Sequence, residues 1–206
     1  MLKVALTGNI ASGKTTVARA WRSRGANIVE ADELARRAVE PGTDGLRQIV
    51  ALWGEGVLLP SGELDRAALR DVVFRNAEDR KKLEEIVHPE VARLHIVAYH
   101  EAQKKGHDLI VADIPLLFEI GTEKEFDVVV LVDAPVEVRK ERLIQNRGLS
   151  ADEAQRMIDA QWPSDRKRPL AQIVIENTGT LAQLEARAVE IWSGLKLRAR
   201  AQKAVQ

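Results

Sequence analysis

The chain has 206 residues, 31 Lys plus Arg against 31 Asp plus Glu, and no cysteine. That length allows one hydrophobic core, or one core with an inserted subdomain, and 45% apolar with 30% charged residues excludes a disordered chain. Without cysteine there is no disulfide framework or cysteine-ligated zinc, which fits a reducing compartment such as the cytoplasm. No apolar run approaches the ~20 residues of a membrane span, and zero net charge argues against a nucleic-acid coat.

From the N-terminus, a short apolar strand over residues 3–7 enters a glycine loop rather than a signal peptide, and a helix is predicted over 14–24. A second strand is predicted over 27–30. Between Asp32 and Gly106 the pattern changes to mostly helical segments, among them 65–75 and 77–87, punctuated by Pro41-Gly42, glycines at 54 and 56, and Ser61-Gly62. His88-Pro89 predicts a helix junction, because the residue before a proline is pushed out of the helical region. Strands follow over 108–113, 127–133 and 172–176; the run Val128-Val129-Val130-Leu131-Val132 suits a strand buried on both faces. Helices are predicted over 136–145, 150–160 and 181–197, the last two starting at the capping-box pairs Ser150/Glu153 and Thr180/Gln183. From Leu195 the tail carries four basic residues and no acid, and is expected to fray. The alternation predicts a three-layer α/β fold with a five-stranded, mainly parallel sheet. Its core comprises residues 1–32 and 107–206, with a lid at about 139–168 and a helical insertion over 33–106.

Gly8-Asn9-Ile10-Ala11-Ser12-Gly13-Lys14-Thr15 has the G-x-x-x-x-G-K-[ST] spacing of a phosphate-binding loop, and Thr16 continues it. Glycines let successive backbone N–H groups curl inward onto phosphate oxygens at a helix N-terminus, Lys14 reaches the β- and γ-phosphates, and the Thr15 hydroxyl binds Mg²⁺. The guanine-reading Asn-Lys-x-Asp stretch is missing, since no Asn-Lys pair occurs. A short chain with a helical insertion and a basic late segment fits a small-molecule kinase, whose lids exclude water from the phosphoryl group. Asp32 follows the second strand, where a carboxylate can take the acceptor's proton or simply cap the next helix. Asp113 ends the third strand as either a water-mediated Mg²⁺ contact or a turn carboxylate. No two histidines are spaced to hold a transition metal.

These residues resemble the dephospho-coenzyme A kinase family. The resemblance runs from Leu6-Thr7-Gly8 through Thr16 to Ala31-Asp32-Glu33-Leu34-Ala35-Arg36, Val39-Glu40-Pro41-Gly42 and Leu83-Glu84-Glu85-Ile86-Val87-His88-Pro89. It continues through Ile114-Pro115-Leu116-Leu117-Phe118-Glu119, Val132-Asp133-Ala134-Pro135, Arg142-Leu143, Gly148-Leu149-Ser150 and Gln161, almost to Asn177. It implies a P-loop kinase that uses ATP and Mg²⁺ to phosphorylate the ribose 3′-hydroxyl of dephospho-CoA, the last step of coenzyme A synthesis. By position it makes Asp32 the base and places Thr7, Pro115, Leu116 and Leu117 beside the acceptor, with core packing the alternative for the two leucines. His88 falls in the acceptor-binding insertion or at a plain helix junction.

Between 139 and 168, Arg139, Lys140, Arg142, Arg147, Arg156, Arg166, Lys167 and Arg168 face five acids. Most of these basic residues are expected on a solvated helix face. Arg142 is the exception, because it matches the family's nucleotide-contacting arginine and a guanidinium fork suits phosphate oxygens. Where the family places its next arginine this chain has Asn146, and Arg147 replaces it only if the helix has ended there, since one residue is about 100° of rotation. Gln172 departs from the family's usual Ala-Asp pair, and Trp162-Pro163 is read as lid or hinge packing. The expected partners are ATP and dephospho-CoA, with neither nucleic acid nor membrane, in a monomer or small homo-oligomer. A kinase for another small acceptor such as a nucleoside monophosphate, and a nucleotide-dependent switch or binding module, are the competing functions.

Overall fold

A computed structural model describes residues 1–73 and 76–204. Five strands, β1 (Leu2–Gly8), β2 (Ile28–Glu30), β3 (Leu109–Asp113), β4 (Val128–Asp133) and β5 (Ile173–Glu176), form one sheet in the order β2-β3-β1-β4-β5. β1 pairs in parallel with β3 (Leu2 opposite Leu109) and with β4 (Val4 opposite Val128), and β4 pairs in parallel with β5. Every residue of β3 and β4 is buried, the two-faced burial that their unbroken apolar runs require. Gln172 closes the start of β5, its side-chain oxygen accepting from the Val129 N–H at 2.7 Å.

The chain divides into two compact units, Met1–Val29 with the chain from Ala102 onward, and Glu30–Glu101. In the first, α1 (Lys14–Arg22) and α9 (Leu181–Ala204) cover one face of the sheet. Val17, Ala18 and Trp21 of α1 and Leu184, Ala188, Trp192 and Leu195 of α9 pack on Val4, Leu6, Val128 and Val130. The Trp21 and Trp192 rings stack at 5.6 Å, and Trp21 Nε1 donates to the Ala188 carbonyl at 2.7 Å, satisfying the one polar atom of that ring. The expected fraying from Leu195 is not found over the described residues, where α9 runs to Ala204. Leu195 and Ala199 are buried, and two of the four basic residues are engaged, Lys203 with Asp108 at 2.7 Å and Arg198 with the Asp127 carbonyl at 3.4 Å. β4 leads into α6 (Val136–Arg147), ended by Gly148 in the left-handed conformation at φ 66°, then α7 (Ala151–Asp159) and α8 (Ser164–Lys167). Ser150 and Glu153 form both halves of the predicted capping box, as do Thr180 and Gln183.

The second unit is helical: α2 (Ala31–Arg37), α3 (Asp44–Trp53), α4 (Arg66–Val73) and α5 (Ala77–Lys104). Thr43 caps α3 through the Leu46 N–H at 3.2 Å, and Asp65 caps α4 by accepting from Ala67 and Ala68 at 2.9 and 3.0 Å. The expected helix over 65–75 therefore starts one residue later, and its last two positions, 74 and 75, lie outside the described residues. The junction expected at His88-Pro89 is overturned: α5 continues through Pro89 for 28 residues. Proline removes one N–H from the ladder, but Ile86 and Leu94, buried on either side of it, hold the helix to its neighbours.

Candidate active site

β1 delivers the chain to the phosphate loop, and both pattern glycines are sterically required there. A Cβ on Gly8 would lie 2.5 Å from the Val132 carbonyl oxygen, and one on Gly13, at φ 100°, would lie 2.3 Å from Asn177 Nδ2. Asn177 follows β5 and uses that amide to bond the Ser12 carbonyl at 2.8 Å. Ala11 stands at φ 59°, the only non-glycine positive φ among the described residues, at a cost of order 1–2 kcal/mol. A bond from the Ser12 N–H to the Asn9 carbonyl at 3.0 Å closes the bend. The loop thus bulges over Asn9–Ala11 and then enters α1, whose first N–H groups have no intrahelical partners and whose dipole favours an anion. Ser12 Oγ is buried beside them with no partner among the described residues.

Lys14, the first residue of α1, pairs its ammonium with Asp113 Oδ1 at the end of β3. Thr15, next to it, is exposed. A hydroxyl and a carboxylate are hard oxygen donors, and the described residues hold no group of three His, Cys, Asp or Glu able to cage a metal. That donor set fits Mg²⁺, which keeps waters and takes its remaining ligands from phosphates. Thr7, fully buried in β1, donates from Oγ1 to the Pro115 carbonyl at 3.3 Å, joining the phosphate-loop strand to the loop after β3. In that loop Leu117 is fully buried and Leu116 is 43% exposed, so only Leu116 of the pair presents a surface to a ligand.

Both ends of the expected lid reach the bulge of the phosphate loop. Arg142 Nη1 in α6 donates to the Ala11 carbonyl at 3.1 Å, and Gln161 Oε1, just after α7, accepts from the Ile10 N–H at 2.7 Å. α6 includes both Asn146 and Arg147, so the condition for Arg147 to replace the family arginine is not met. Arg147 is exposed on a face about 100° from that of Asn146.

Besides Arg142, two of the eight basic residues are not on a solvated face. Arg139 is 1% exposed, its Nε donating to the Ala134 carbonyl at 3.1 Å, and burial pushes its guanidinium down from its ordinary value against the pull of Asp133. Lys167 is completely buried between Glu119 Oε1, at 2.6 Å, and Asn9 Oδ1; burial likewise lowers its ammonium pKa, and the Glu119 contact opposes this. Nearby, Asp133 accepts from Ser164 Oγ at 2.6 Å and from Arg168 at 2.8 Å, and Arg168 also pairs with Glu176. These contacts, Glu176 first, hold the Arg168 pKa above its ordinary value. The Arg166 guanidinium lies 3.2 Å from the Trp162 ring centroid, a cation–π contact within the 139–168 segment.

In the helical unit, Asp32 sits in the first turn of α2, behind an N-cap position held by Glu30, and is exposed with no side-chain partner among the described residues. It is therefore not a capping group. His88 is exposed in the middle of α5.

The sequence reading missed Glu119, Lys167, Asn177 and Arg139 as parts of the site. Glu119 was visible as a carboxylate ending an apolar stretch, and Asn177 as the polar residue after the last strand. Nothing local marked Lys167 or Arg139, which lie among basic residues that do face solvent.

Residues 2–183 match the family model described as dephospho-CoA kinase (CoaE). The dephospho-CoA kinase of Thermobifida fusca is 43% identical over 198 residues, covering 96% of this chain and 98% of its own. A crystal structure of a Thermus thermophilus protein shares 40% identity at a TM-score of 0.79, over 94% of this chain and 97% of that one. The structure of the dephospho-CoA kinase from Campylobacter jejuni superposes with a TM-score of 0.74 at 26% identity, over 94% and 96%.

Proposed function

This chain belongs to the dephospho-CoA kinase family, and from that premise we propose how its residues divide the work of the reaction. The reaction is ATP-dependent phosphorylation of dephospho-CoA, a phosphoryl transfer to an alcohol in coenzyme A biosynthesis. The observation that supports the division is the phosphate loop itself, two sterically required glycines with Lys14 at the head of α1.

Gly8, Asn9, Ile10, Ala11, Ser12, Gly13, Thr15 and Thr16 form the nucleotide's phosphate cradle, the backbone N–H groups from Ser12 onward carrying most of the charge. Lys14 leaves Asp113 when nucleotide arrives and moves its ammonium onto the phosphates. The exchange keeps each charge paired before and after, so little desolvation is added at that step. Mg²⁺ would be held by the Thr15 hydroxyl and Asp113, and would supply charge neutralisation on the phosphate oxygens. Arg142, half-buried against Ala11, is placed to steady charge on the transferring group. Asp32 takes the proton of the ribose 3′-hydroxyl; no side chain among the described residues competes for its carboxylate. By the family's positions, His88 on α5 of the 33–106 insertion, and separately Pro115 and Leu116 after β3, are assigned to acceptor binding. Phosphoryl transfer of this kind is mostly positioning and electrostatics, which the buried ties around the loop provide. The cytoplasm is the compartment this reading assigns, consistent with a chain lacking cysteine and with no described helix long and apolar enough to cross a membrane.

Purified protein with ATP, Mg²⁺ and dephospho-CoA is expected to give ADP and a product one phosphoryl group heavier, in equal amounts. Preference for a nucleoside or nucleoside monophosphate in the same assay would assign another acceptor. Acceptor-independent hydrolysis would assign a nucleotide switch.

A further inference from the structure

The phosphate loop is held at its two ends by different means. Its C-terminal end continues into α1 and is braced by Asn177. The Asn9–Ala11 bulge has no regular secondary structure and a strained residue, so its geometry depends on what bonds to it from outside. Most of those bonds come from one short segment, residues 161–167. Gln161 accepts from the Ile10 N–H at 2.7 Å, the Trp162 carbonyl accepts from Asn9 Nδ2 at 3.2 Å, and Lys167 donates to Asn9 Oδ1. The same segment is fastened to Glu119, in the loop that follows β3. Lys167 Nζ lies 2.6 Å from Glu119 Oε1, and the Trp162 N–H donates to that oxygen at 3.0 Å.

Among the described residues, Lys167 is the only side chain bonded to both the bulge and Glu119. It has 0% exposure, and burying an ammonium and a carboxylate costs several kcal/mol before their attraction is counted. Packing alone does not ask for this, since a methionine fills nearly the same volume at no such cost. What an ammonium offers and a thioether does not is three directed donors, two of which here fix oxygens on separate loops.

We propose that Lys167 is a positioning residue for phosphoryl transfer: through Asn9 and Glu119 it locks the bulge of the phosphate loop and the Pro115–Glu119 loop into one geometry, without touching either substrate. The inference rests on the kinase reading above. It makes the ammonium matter for turnover more than for nucleotide affinity, because the α1 end of the cradle is braced independently.

The chain has no cysteine, so Lys167→Cys introduces its only thiol. Alkylated in denaturant and refolded, that thiol yields two nearly isosteric proteins. Bromoethylamine rebuilds an ammonium at the end of the side chain, and propyl iodide leaves it apolar. Steady-state phosphorylation of dephospho-CoA is then measured for both, beside wild-type protein and the charge-balanced pair Lys167→Met/Glu119→Gln. The expected result is that the propylated protein and the double variant lose at least about tenfold in kcat, with KM for ATP little changed, and that the aminoethylated protein recovers most of it. Equal kcat for the two alkylated proteins, or a folded double variant turning over like wild type, overturns the proposal. A propylated protein that fails to refold while the aminoethylated one refolds and works leaves the double variant to decide in the same way. If that variant also fails to fold, the role is structural and the proposal falls. Wild-type protein that transfers nothing to dephospho-CoA overturns the kinase reading and this proposal with it, whereas an active wild type with equal variants overturns this proposal alone.

Discussion

Within Glu30–Glu101, ion pairs such as Arg80–Glu84, Lys82–Glu78 and Arg93–Glu90 join residues three or four apart on one helix, with the basic partner well exposed. Around the phosphate loop, Lys14–Asp113 and Lys167–Glu119 join residues from distant parts of the chain and are largely out of water. The first kind is a property of helix spacing and contributes a few tenths of a kcal/mol at most. The second fixes the position of one loop against another, because an uncompensated buried charge is far costlier than a lost exposed pair. Charge on the helical unit's surface keeps it wetted, while the buried charge around the phosphate loop sets geometry. The exception in the helical unit is Asp32, the proposed base, an exposed carboxylate with no side-chain partner among the described residues.

Substitutions can break this contrast, starting with the largest expected effect. Lys14→Ala removes a charge that the proposed reaction uses directly, and kcat is expected to fall by roughly 10³ or more with the circular dichroism spectrum unchanged. Asp32→Asn is expected to cost roughly 10²–10⁴ in kcat while stability moves by no more than about 0.5 kcal/mol, because no native contact is lost. A wild-type rate for purified Asp32→Asn would remove Asp32 as the base. Lys167→Met strands Glu119 in the interior, and urea unfolding is expected to show a loss of about 3–5 kcal/mol, much of it regained when Glu119→Gln is added.

The contrast sharpens with a titrating group on the helical side. His95 is half-buried in α5, its Nδ1 has no partner among the described residues, and burial lowers its pKa from 6.5. The native ring is therefore neutral, and the unfolded chain takes up a proton first as the pH drops. Stability from this group is complete above pH 6.5 and is lost as the pH falls from there through the lowered native value. Thermal midpoints recorded from pH 7.5 down to 5 should show that loss, and His95→Gln should flatten it. The smallest effect belongs to Glu84→Gln on the same helix, which removes the pair with Arg80 at 2.9 Å and is expected to cost about 0.3–0.5 kcal/mol, vanishing in high salt. A loss of several kcal/mol there would undo the distinction between the two regions.

The same distinction explains which features could be read in advance. All five strands were placed to within a residue at each end, and the phosphate loop as a whole, since short apolar runs and glycine spacing are local signals. The capping boxes at Ser150 and Thr180 are equally local, a side chain bonding backbone three residues away. Pro89 misled because a proline's local preference was outweighed by the packing of Ile86 and Leu94. The C-terminal tail misled because a run of basic residues without an acid gave no sign that Leu195 and Ala199 would be buried and that Lys203 and Arg198 would meet Asp108 and the Asp127 carbonyl.

By itself, the sequence determined a parallel α/β core, a phosphate loop and an isolated carboxylate after the second strand, because each is written in residues close together along the chain. Only the tertiary structure decided which basic residues between 139 and 168 are buried, that Leu117 packs while Leu116 is exposed, and that Lys167 joins Asn9 to Glu119. Those outcomes depend on partners such as Asn9 and Lys167, 158 positions apart. A lysine's neighbours along the chain carry no record of whether folding will take it out of water.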